Sequence, residues 1–224
     1  MAEPRTVRSR RTRVAIVAAL REELRRTGTF TVNAVVEGAA CSPATYYAHF
    51  PSKDEALTEA FAALLADLQD FIAGVFQVES LRRLGLGGFA RAVVADLVGY
   101  FRVETLAVRA GMAGVPENRH LLVAYKTAED AIVNLVADFL AEAEREGLLA
   151  GPDAAARAAA VVVTIQGLNN PLVLRAPPDE PIHDGMTAAM AAVLVGHVTP
   201  QIASRTGVPR PSGEARRPSR HTRH

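Results

Sequence analysis

Cysteine and tryptophan are nearly missing from this sequence of 224 residues, which has one cysteine, Cys41, and no tryptophan. A single cysteine excludes an intramolecular disulfide framework and any metal site built from several thiolates, and it fits a reducing compartment. The histidines offer no substitute, because no pair has the helical spacing and carboxylate company of a metal site. We therefore expect no metal ion and a cytoplasmic location.

Long apolar runs are missing as well. The longest, Met186 to Val198, contains Thr187 and His197 and is shorter than the roughly 18 residues that span a membrane. Arginines before an apolar segment near the N-terminus resemble the start of a signal peptide, but charged residues soon end that segment, so a helix entering a domain is the better interpretation. We expect no contact with a membrane.

Catalytic motifs are also absent. The sequence has no Ser/His/Asp or Cys/His arrangement with recognisable spacing, no Walker-type phosphate loop and no carboxylate pair in an apolar setting. The glycines at 85–88 lack the preceding strand that a dinucleotide loop needs. An enzyme is therefore the disfavoured class of protein, and we expect neither a catalytic residue nor a cofactor.

Charge is distributed unevenly along the chain, although its sum is only +1. Residues 1–53 hold nine basic and four acidic side chains, and residues 204–224 hold six and one, so each segment carries a net charge of +5. Residues 54–203 hold ten basic and nineteen acidic side chains, a net charge of −9. The basic ends indicate a polyanionic partner.

Helical patterns dominate the sequence. Alanine and leucine recur three and four residues apart, and few aromatic or β-branched residues alternate with polar ones, so we predict an all-α fold. A first helix is expected from a cap at Thr12 to a stop at Gly28, after a disordered basic arm at residues 1–10. A long helix after Pro51, begun by a capping box at Ser52 and Glu55, is long enough to join two domains.

Two short helices around a tight turn are predicted between these long ones. The first begins at Thr31, and the second is capped by Ser42 with Pro43 at its first position. Tyr46 and Phe50 are four residues apart and should face inward. Such a pair of helices forms a helix-turn-helix, whose second helix fits the major groove of DNA.

The outward residues of the second short helix have the chemistry for DNA contact. Tyr47 and His49 can bond to phosphate oxygens, Lys53 lies beside free N–H groups at the next helix start, and Ala44 can touch a thymine methyl. The predicted DNA-binding residues are Thr31, Ser42, Pro43, Ala44, Thr45, Tyr47, His49 and Lys53. We favour DNA contact for the N-terminal arginines too, and simple solvation for the C-terminal ones.

The stretch from Thr31 to Leu57, with the run Ser42 to Lys53 at its centre, resembles the DNA-binding segment of the tetracycline-repressor (TetR) family. Ala40 stands where the family usually has a turn glycine, and Val36 where it usually has alanine. A left-handed alanine at the turn would cost roughly 1 kcal/mol.

The resemblance implies a homodimer whose two recognition helices enter successive major grooves of a roughly palindromic, double-stranded DNA operator. It also implies C-terminal helices that enclose a ligand pocket, and a ligand that spreads the DNA-binding heads apart. The protein would then repress transcription until its small-molecule effector arrives.

Three parts follow from these patterns: a DNA-binding domain at 11–56, a helical effector-binding and dimerisation domain at 57–203, and a disordered basic tail at 204–224. The helix around 154–165 has almost no polar face, and the helix around 184–201 carries small residues that allow close approach, so we expect these last two helices to form the dimer interface. Polar residues inside apolar helices are candidates for orienting a mostly apolar ligand: Tyr100, Arg109, Tyr125, Asn134, Gln166, Asn169 and Asn170.

Two alternatives stay open. A constitutive or protein-controlled DNA-binding regulator would have the same DNA-binding segment and no small-molecule ligand. Cys41 could sense oxidants from its place in the turn, but without a basic neighbour or a resolving cysteine a packed turn residue is the favoured interpretation.

Overall fold

A computed structural model describes residues 5–151, 153–175 and 181–199. Helices and no strands make up the secondary structure of these ranges, which confirms the all-α prediction. The helices are α1 (Arg5–Thr27), α2 (Val32–Gly38), α3 (Pro43–His49), α4 (Lys53–Val75), α5 (Val78–Gly114), α6 (Arg119–Arg145), α7 (Ala154–Gly167), α8 (Pro171–Arg175) and α9 (Pro181–Val198). The expected tail at 204–224 lies outside the described residues.

Helix α1 starts earlier than the sequence pattern indicated. Thr12 does not cap it, since its hydroxyl donates to the carbonyl of Arg8 at 3.0 Å, a bond made inside a helix to the residue four positions back. The predicted cap is therefore wrong, and residues 5–10, expected in a disordered arm, are helical. The predicted stop at Gly28 is confirmed, because this glycine has φ 74° and the helix ends at Thr27.

Side-chain oxygens cap both short helices as predicted. Thr31 Oγ1 accepts the backbone N–H of Ala34 at 3.2 Å, and Ser42 Oγ accepts that of Thr45 at 3.1 Å. Between them Ala40 has φ 49°, so the turn does need a left-handed residue where the sequence has alanine. Ser52 caps α4 in the same way, accepting the N–H of Glu55.

The N-terminal helices α1, α2 and α3 surround one hydrophobic core, to which α4 also contributes. Tyr46 and Phe50 are completely buried, as predicted, and lie among Ile16, Leu20 and Val35. Because Tyr46 and Phe50 share one face of α3, their burial leaves the opposite face of this helix in solvent.

A second hydrophobic core is formed by the later helices. It contains Leu68 and Ile72 of α4, most of the buried residues of α5, and apolar residues of α6, α7 and α9. Helix α5 kinks at Gly85, where φ is 65°, so only the first of the four positions from 85 to 88 breaks the helix. By length and composition alone α5 could cross a membrane, yet its buried residues pack into both cores, as in the core helix of a globular domain.

The C-terminal helices differ in detail from the prediction. Helix α9 begins at Pro181 instead of near residue 184, and the short helix α8 was not predicted. Asn170 Oδ1 accepts the backbone N–H of Leu172 at the start of α8. Pro171 is the first residue of this helix, a position that favours proline. Val193 of α9 is exposed.

Replacing the strained alanine of the turn should stabilise the protein. Glycine has no Cβ, so Ala40→Gly removes the steric strain of the left-handed backbone at this position. Ala40 is exposed, so the lost methyl group contributes no packing. After the extra chain entropy of glycine is subtracted, we expect a gain of about 0.5 to 1 kcal/mol in the free energy of unfolding, measured by urea denaturation.

Ala39→Gly is the matched control, because Ala39, next to Ala40, has φ −84° in the right-handed region. We expect this variant to lose about 0.5 to 1 kcal/mol. Equal destabilisation by both variants would contradict a strained turn.

Candidate DNA-binding surface and ligand cavity

The outer face of α3 carries most of the predicted DNA-binding residues. Pro43, Ala44 and Tyr47 are exposed, and Tyr47 shows 51% of its surface although its ring is large and apolar. The half-buried Thr45 lies next to the exposed Ser42, with 2.9 Å between their hydroxyl oxygens. The structure thus brings these five residues together on and beside one short helix.

The remaining predicted residues flank this helix. His49 is half-buried at the last position of α3, and Thr31 is exposed where it caps α2. Lys53 is exposed at the first position of α4, with Nζ 5.7 Å from the centre of the Phe30 ring. Lys53 thus stands at the N-terminus of α4, where the first N–H groups of a helix have no partner within the helix.

Arg13, which the sequence analysis did not single out, links three helices beneath this surface. Its Nη1 donates to the carbonyl of His49 at 2.7 Å, its Nε donates to the Glu59 carboxylate of α4, and its guanidinium lies 4.3 Å from the centre of the Phe50 ring. This one side chain holds α1 against the end of α3 and the start of α4. No local pattern revealed it, since its partners are 36 and 46 residues away.

An open groove lies between the beginning of α1 and the α2–α3 turn. Arg8 and Arg11 form one wall, and Cys41, Ser42 and Thr45 are on the other. Basic side chains opposite hydroxyl groups are the usual lining of a phosphate-binding surface. The half-buried Cys41 also packs against the N-terminal core, in agreement with a structural role in the turn.

A cavity of about 160 Å³ lies between α4, α5, α6 and α7. Its walls are mostly apolar, and they include residues from both hydrophobic cores: Phe61, Leu65, Leu68, Ile72, Phe101, Val108, Met112, Ile132, Val162 and Ile165. Engineered apolar cavities of about 150 Å³ hold one benzene molecule. The volume therefore suits a ligand with a single ring.

Three polar side chains form a connected group on the wall of this cavity. Gln166 Nε2 donates to the Tyr125 oxygen at 3.0 Å and to Glu129 Oε1 at 2.7 Å, and the Tyr125 hydroxyl donates to the same Oε1 at 3.1 Å. Burial, followed by the neighbouring Glu129 carboxylate, raises the pKa of Tyr125. The phenol therefore stays protonated and keeps its role as a donor.

Three of the seven predicted ligand residues line the cavity: Tyr125, Gln166 and Asn169, the last of which accepts a hydrogen bond from Thr105 at 3.2 Å. Asn169 is thus partly occupied by a protein partner. Glu129 was not among the residues predicted from the sequence, although its position four residues after Tyr125 on one helix was a usable signal.

The other four predicted ligand residues do not line the cavity. Arg109 and Asn134 are exposed, because their positions on α5 and α6 turn away from the apolar faces. Asn170 is an exposed cap of α8. A local sequence pattern does not assign a polar residue to the inner or the outer side of an amphipathic helix.

Tyr100, the fourth, lies in a different cluster, where α1 meets α5. Its buried hydroxyl has no hydrogen-bond partner among the described residues. Burial and, to a lesser degree, the carboxylates of Glu104 and Asp67 raise the pKa of Tyr100 to about 12.

A buried ion pair in this cluster holds α1 to α5. Glu104 of α5 is only 7% exposed, and its Oε1 accepts from Nη2 of Arg25 at 2.7 Å and from Nε at 3.1 Å. The hydrogen bond to Glu104 is the main reason that the pKa of Arg25 is raised. Arg21 of α1 pairs with Asp67 of α4 at 2.6 Å beside it.

Two exposed apolar stripes lie on the C-terminal helices. Helix α7 exposes Ala155, Ala159 and Val163, four residues apart, and Val163 is 66% exposed. Helix α9 exposes small and apolar residues that also follow one helical face: Gly185, Ala188, Ala189, Ala192, Val193 and Gly196. The two helices pack against each other. Because Ala155, Ala159 and Val163 are exposed, α7 is not buried on all sides in one protomer.

Several solved structures share this fold. No family model and no curated protein matches the sequence. A TetR transcription regulator from Haloarcula marismortui is 16% identical, with a TM-score of 0.65 over 84% of this chain and 97% of that chain. Salmonella enterica GusR is 17% identical, with a TM-score of 0.61 over 88% and 98% of the two chains.

RolR in complex with its ligand resorcinol is 16% identical, with a TM-score of 0.52 over 88% of this chain and 92% of that chain. At these identities the comparison shows the fold alone. The chain has the architecture of TetR-family regulators, an N-terminal helix-turn-helix domain followed by a helical C-terminal domain, as its sequence resemblance had predicted.

Removing Arg25 from the buried ion pair should lower the free energy of unfolding more than removing the charge of Glu104 does. Arg25→Met leaves the buried Glu104 carboxylate unpaired, and we expect a loss of about 2 kcal/mol in the free energy of unfolding at pH 7. Urea denaturation at pH 7 measures this.

Glu104→Gln is the comparison variant. It leaves Arg25 partly exposed and still paired with Glu22 at 2.6 Å, so we expect a loss of about 1 kcal/mol or less. A larger loss in Glu104→Gln than in Arg25→Met would contradict this account of the junction.

Proposed function

We propose that the protein is a DNA-binding transcriptional regulator, a dimeric repressor that leaves a palindromic operator when a small, mostly apolar molecule occupies the cavity. It acts in the cytoplasm. The observation that carries the DNA-binding part is the division of α3 into two faces: Tyr46 and Phe50 are buried completely, while Pro43, Ala44 and Tyr47 are exposed together.

Several features around α3 support contact with DNA. A short capped helix with a small residue and a tyrosine outward can enter a major groove closely. Arg8, Arg11 and Lys53 flank it with positive charge, where they can bind phosphates on either side of that groove. The proposed DNA-binding set remains the one read from the sequence, with Arg13 added as the side chain that positions α3.

The cavity favours a ligand-controlled regulator over a constitutive one. Phe61 belongs to the core that holds α3 and also lines the cavity, and its ring rests on Gly111, where any Cβ would overlap it. A ligand that displaces this ring would act directly on the packing of the DNA-binding helices. RolR, which shares the fold, binds resorcinol, a molecule of the size that this cavity admits.

The exposed stripes of α7 and α9 support dimerisation through the last long helices. Continuous apolar stripes on the surface of a protein are typical of interfaces, and small residues allow two helices to approach closely. A second copy packed on α7 and α9 would bury both stripes and place two α3 helices on one operator.

Tyr47→Ala and Lys53→Ala should each weaken DNA binding about tenfold without lowering thermal stability, since both side chains are exposed. The probe is the duplex that the wild-type protein enriches from a random-sequence library, with binding measured by fluorescence anisotropy. Lys53→Ala should also reduce the slope of affinity against salt by about 1 for each protomer.

Lys126→Ala is the matched control, because this exposed lysine of α6 lies far along the chain from the helix-turn-helix and has no proposed DNA contact. It should leave both affinity and salt slope unchanged. Failure of the wild-type protein to enrich any duplex would refute the proposed function.

Val163→Asp should convert the dimer into a monomer, because it puts a charge in the middle of the α7 stripe that dimerisation would bury. Light scattering after size-exclusion chromatography gives the mass of each species. Val14→Asp changes an equally exposed valine on α1 and should stay dimeric. A monomeric wild-type protein, or a Val163→Asp variant that stays dimeric, would count against this interface.

A further inference from the structure

We propose that the cavity binds a single-ring molecule carrying an amine that is protonated at neutral pH, with the ring among the apolar residues and the ammonium group beside Glu129. The inference rests on the proposed function in that the cavity is the effector site. It adds the chemical class of the effector.

The position of the polar group sets the orientation of this ligand. Gln166 is exposed and Glu129 and Tyr125 are half-buried, so this group lies at the opening of the cavity, whereas Phe61, Leu65 and Ile72 are buried within it. A molecule that entered with its ring inside would therefore leave its polar end next to Glu129.

The charge of the lining decides what that polar end is. Among the described residues that line the cavity, Glu129 is the only charged one, and none of them is an arginine, a lysine or a histidine. A carboxylate next to an apolar, partly water-excluded space attracts a cation and repels an anion more strongly than it would in water.

The hydrogen bonds of Glu129 point to the same class. Both protein donors, the Tyr125 hydroxyl and the Gln166 amide, bond to Oε1. They hold the carboxylate in place, and no described bond uses Oε2, which can then accept from a ligand ammonium group. A ligand carboxylate would be repelled by the carboxylate of Glu129.

The size of the cavity limits the ligand to one ring. About 160 Å³ matches the volume that holds one benzene, and the aromatic rings of Phe61 and Phe101 are suitable partners for it. Benzylamine, benzyl alcohol and benzoate have nearly the same shape and differ in charge, so they separate the contribution of charge from that of size.

Isothermal titration calorimetry of the full chain with these three probes tests the inference. Benzylamine should bind about tenfold more tightly than benzyl alcohol, and benzoate should bind more weakly than either. Added salt should weaken benzylamine binding and leave benzyl alcohol binding unchanged. Equal or reversed affinities, or no binding by benzylamine, would overturn it, and this comparison needs no variant.

Glu129→Gln keeps the shape of the side chain and removes its charge. It should weaken benzylamine binding about tenfold and change benzyl alcohol binding less than twofold. Asp130→Asn is the matched control, because it removes an exposed carboxylate one residue away that does not line the cavity. An unchanged affinity of Glu129→Gln for benzylamine would overturn the role of Glu129.

DNA release, followed separately by anisotropy, keeps this inference distinct from the proposed function. Release by benzyl alcohol but not by benzylamine would overturn the amine and leave a ligand-controlled regulator. Tight, Glu129-dependent binding of benzylamine to a chain that enriches no duplex would support the ligand class and refute the DNA-binding function.

Discussion

Helix α4 belongs to both hydrophobic cores, and the rest of the molecule depends on that sharing. Its first half contributes Phe61 and Leu64 to the core that buries the inner face of α3, and its second half contributes Leu68 and Ile72 to the core of the C-terminal helices. Because side chains in a core are close-packed, neither half can shift without moving its neighbours in the other domain. The cavity lies against the middle of this helix, where the two cores meet.

Helix α5 makes the second link between the N-terminal and the C-terminal helices. This link includes an ion pair, whereas the link along α4 consists of apolar packing. Phe101 and Val108 line the cavity, while Glu104 between them reaches Arg25 of α1. A buried ion pair contributes little net stability but strongly prefers one geometry, so it suits a junction that must be either in place or broken. The same short stretch of α5 thus contacts both the cavity and helix α1.

The capping and the two faces of the short helix α3 could be predicted from the sequence, and the lining of the cavity only in part. Caps at Thr31, Ser42 and Ser52 act over three residues, so their chemistry is visible in the order of the amino acids. The cavity is formed by residues from four helices, and whether a polar side chain faces it depends on how those helices are rotated against one another. Tyr125 and Gln166 face it, and Arg109 and Asn134 do not, although nothing local distinguishes them.

The sequence by itself determined the helices, the turn and the two faces of α3, because hydrophobic periodicity, capping and proline position act within a few residues of each other. It even indicated the strain at Ala40, which the left-handed backbone there bears out. Only the tertiary structure decided that Arg13 clamps α3, that Arg25 meets Glu104, and that Glu129 is the charged residue of the cavity. The first two contacts join residues 36 and 79 positions apart, and the third depends on four packed helices, so long-range packing rather than local pattern sets them.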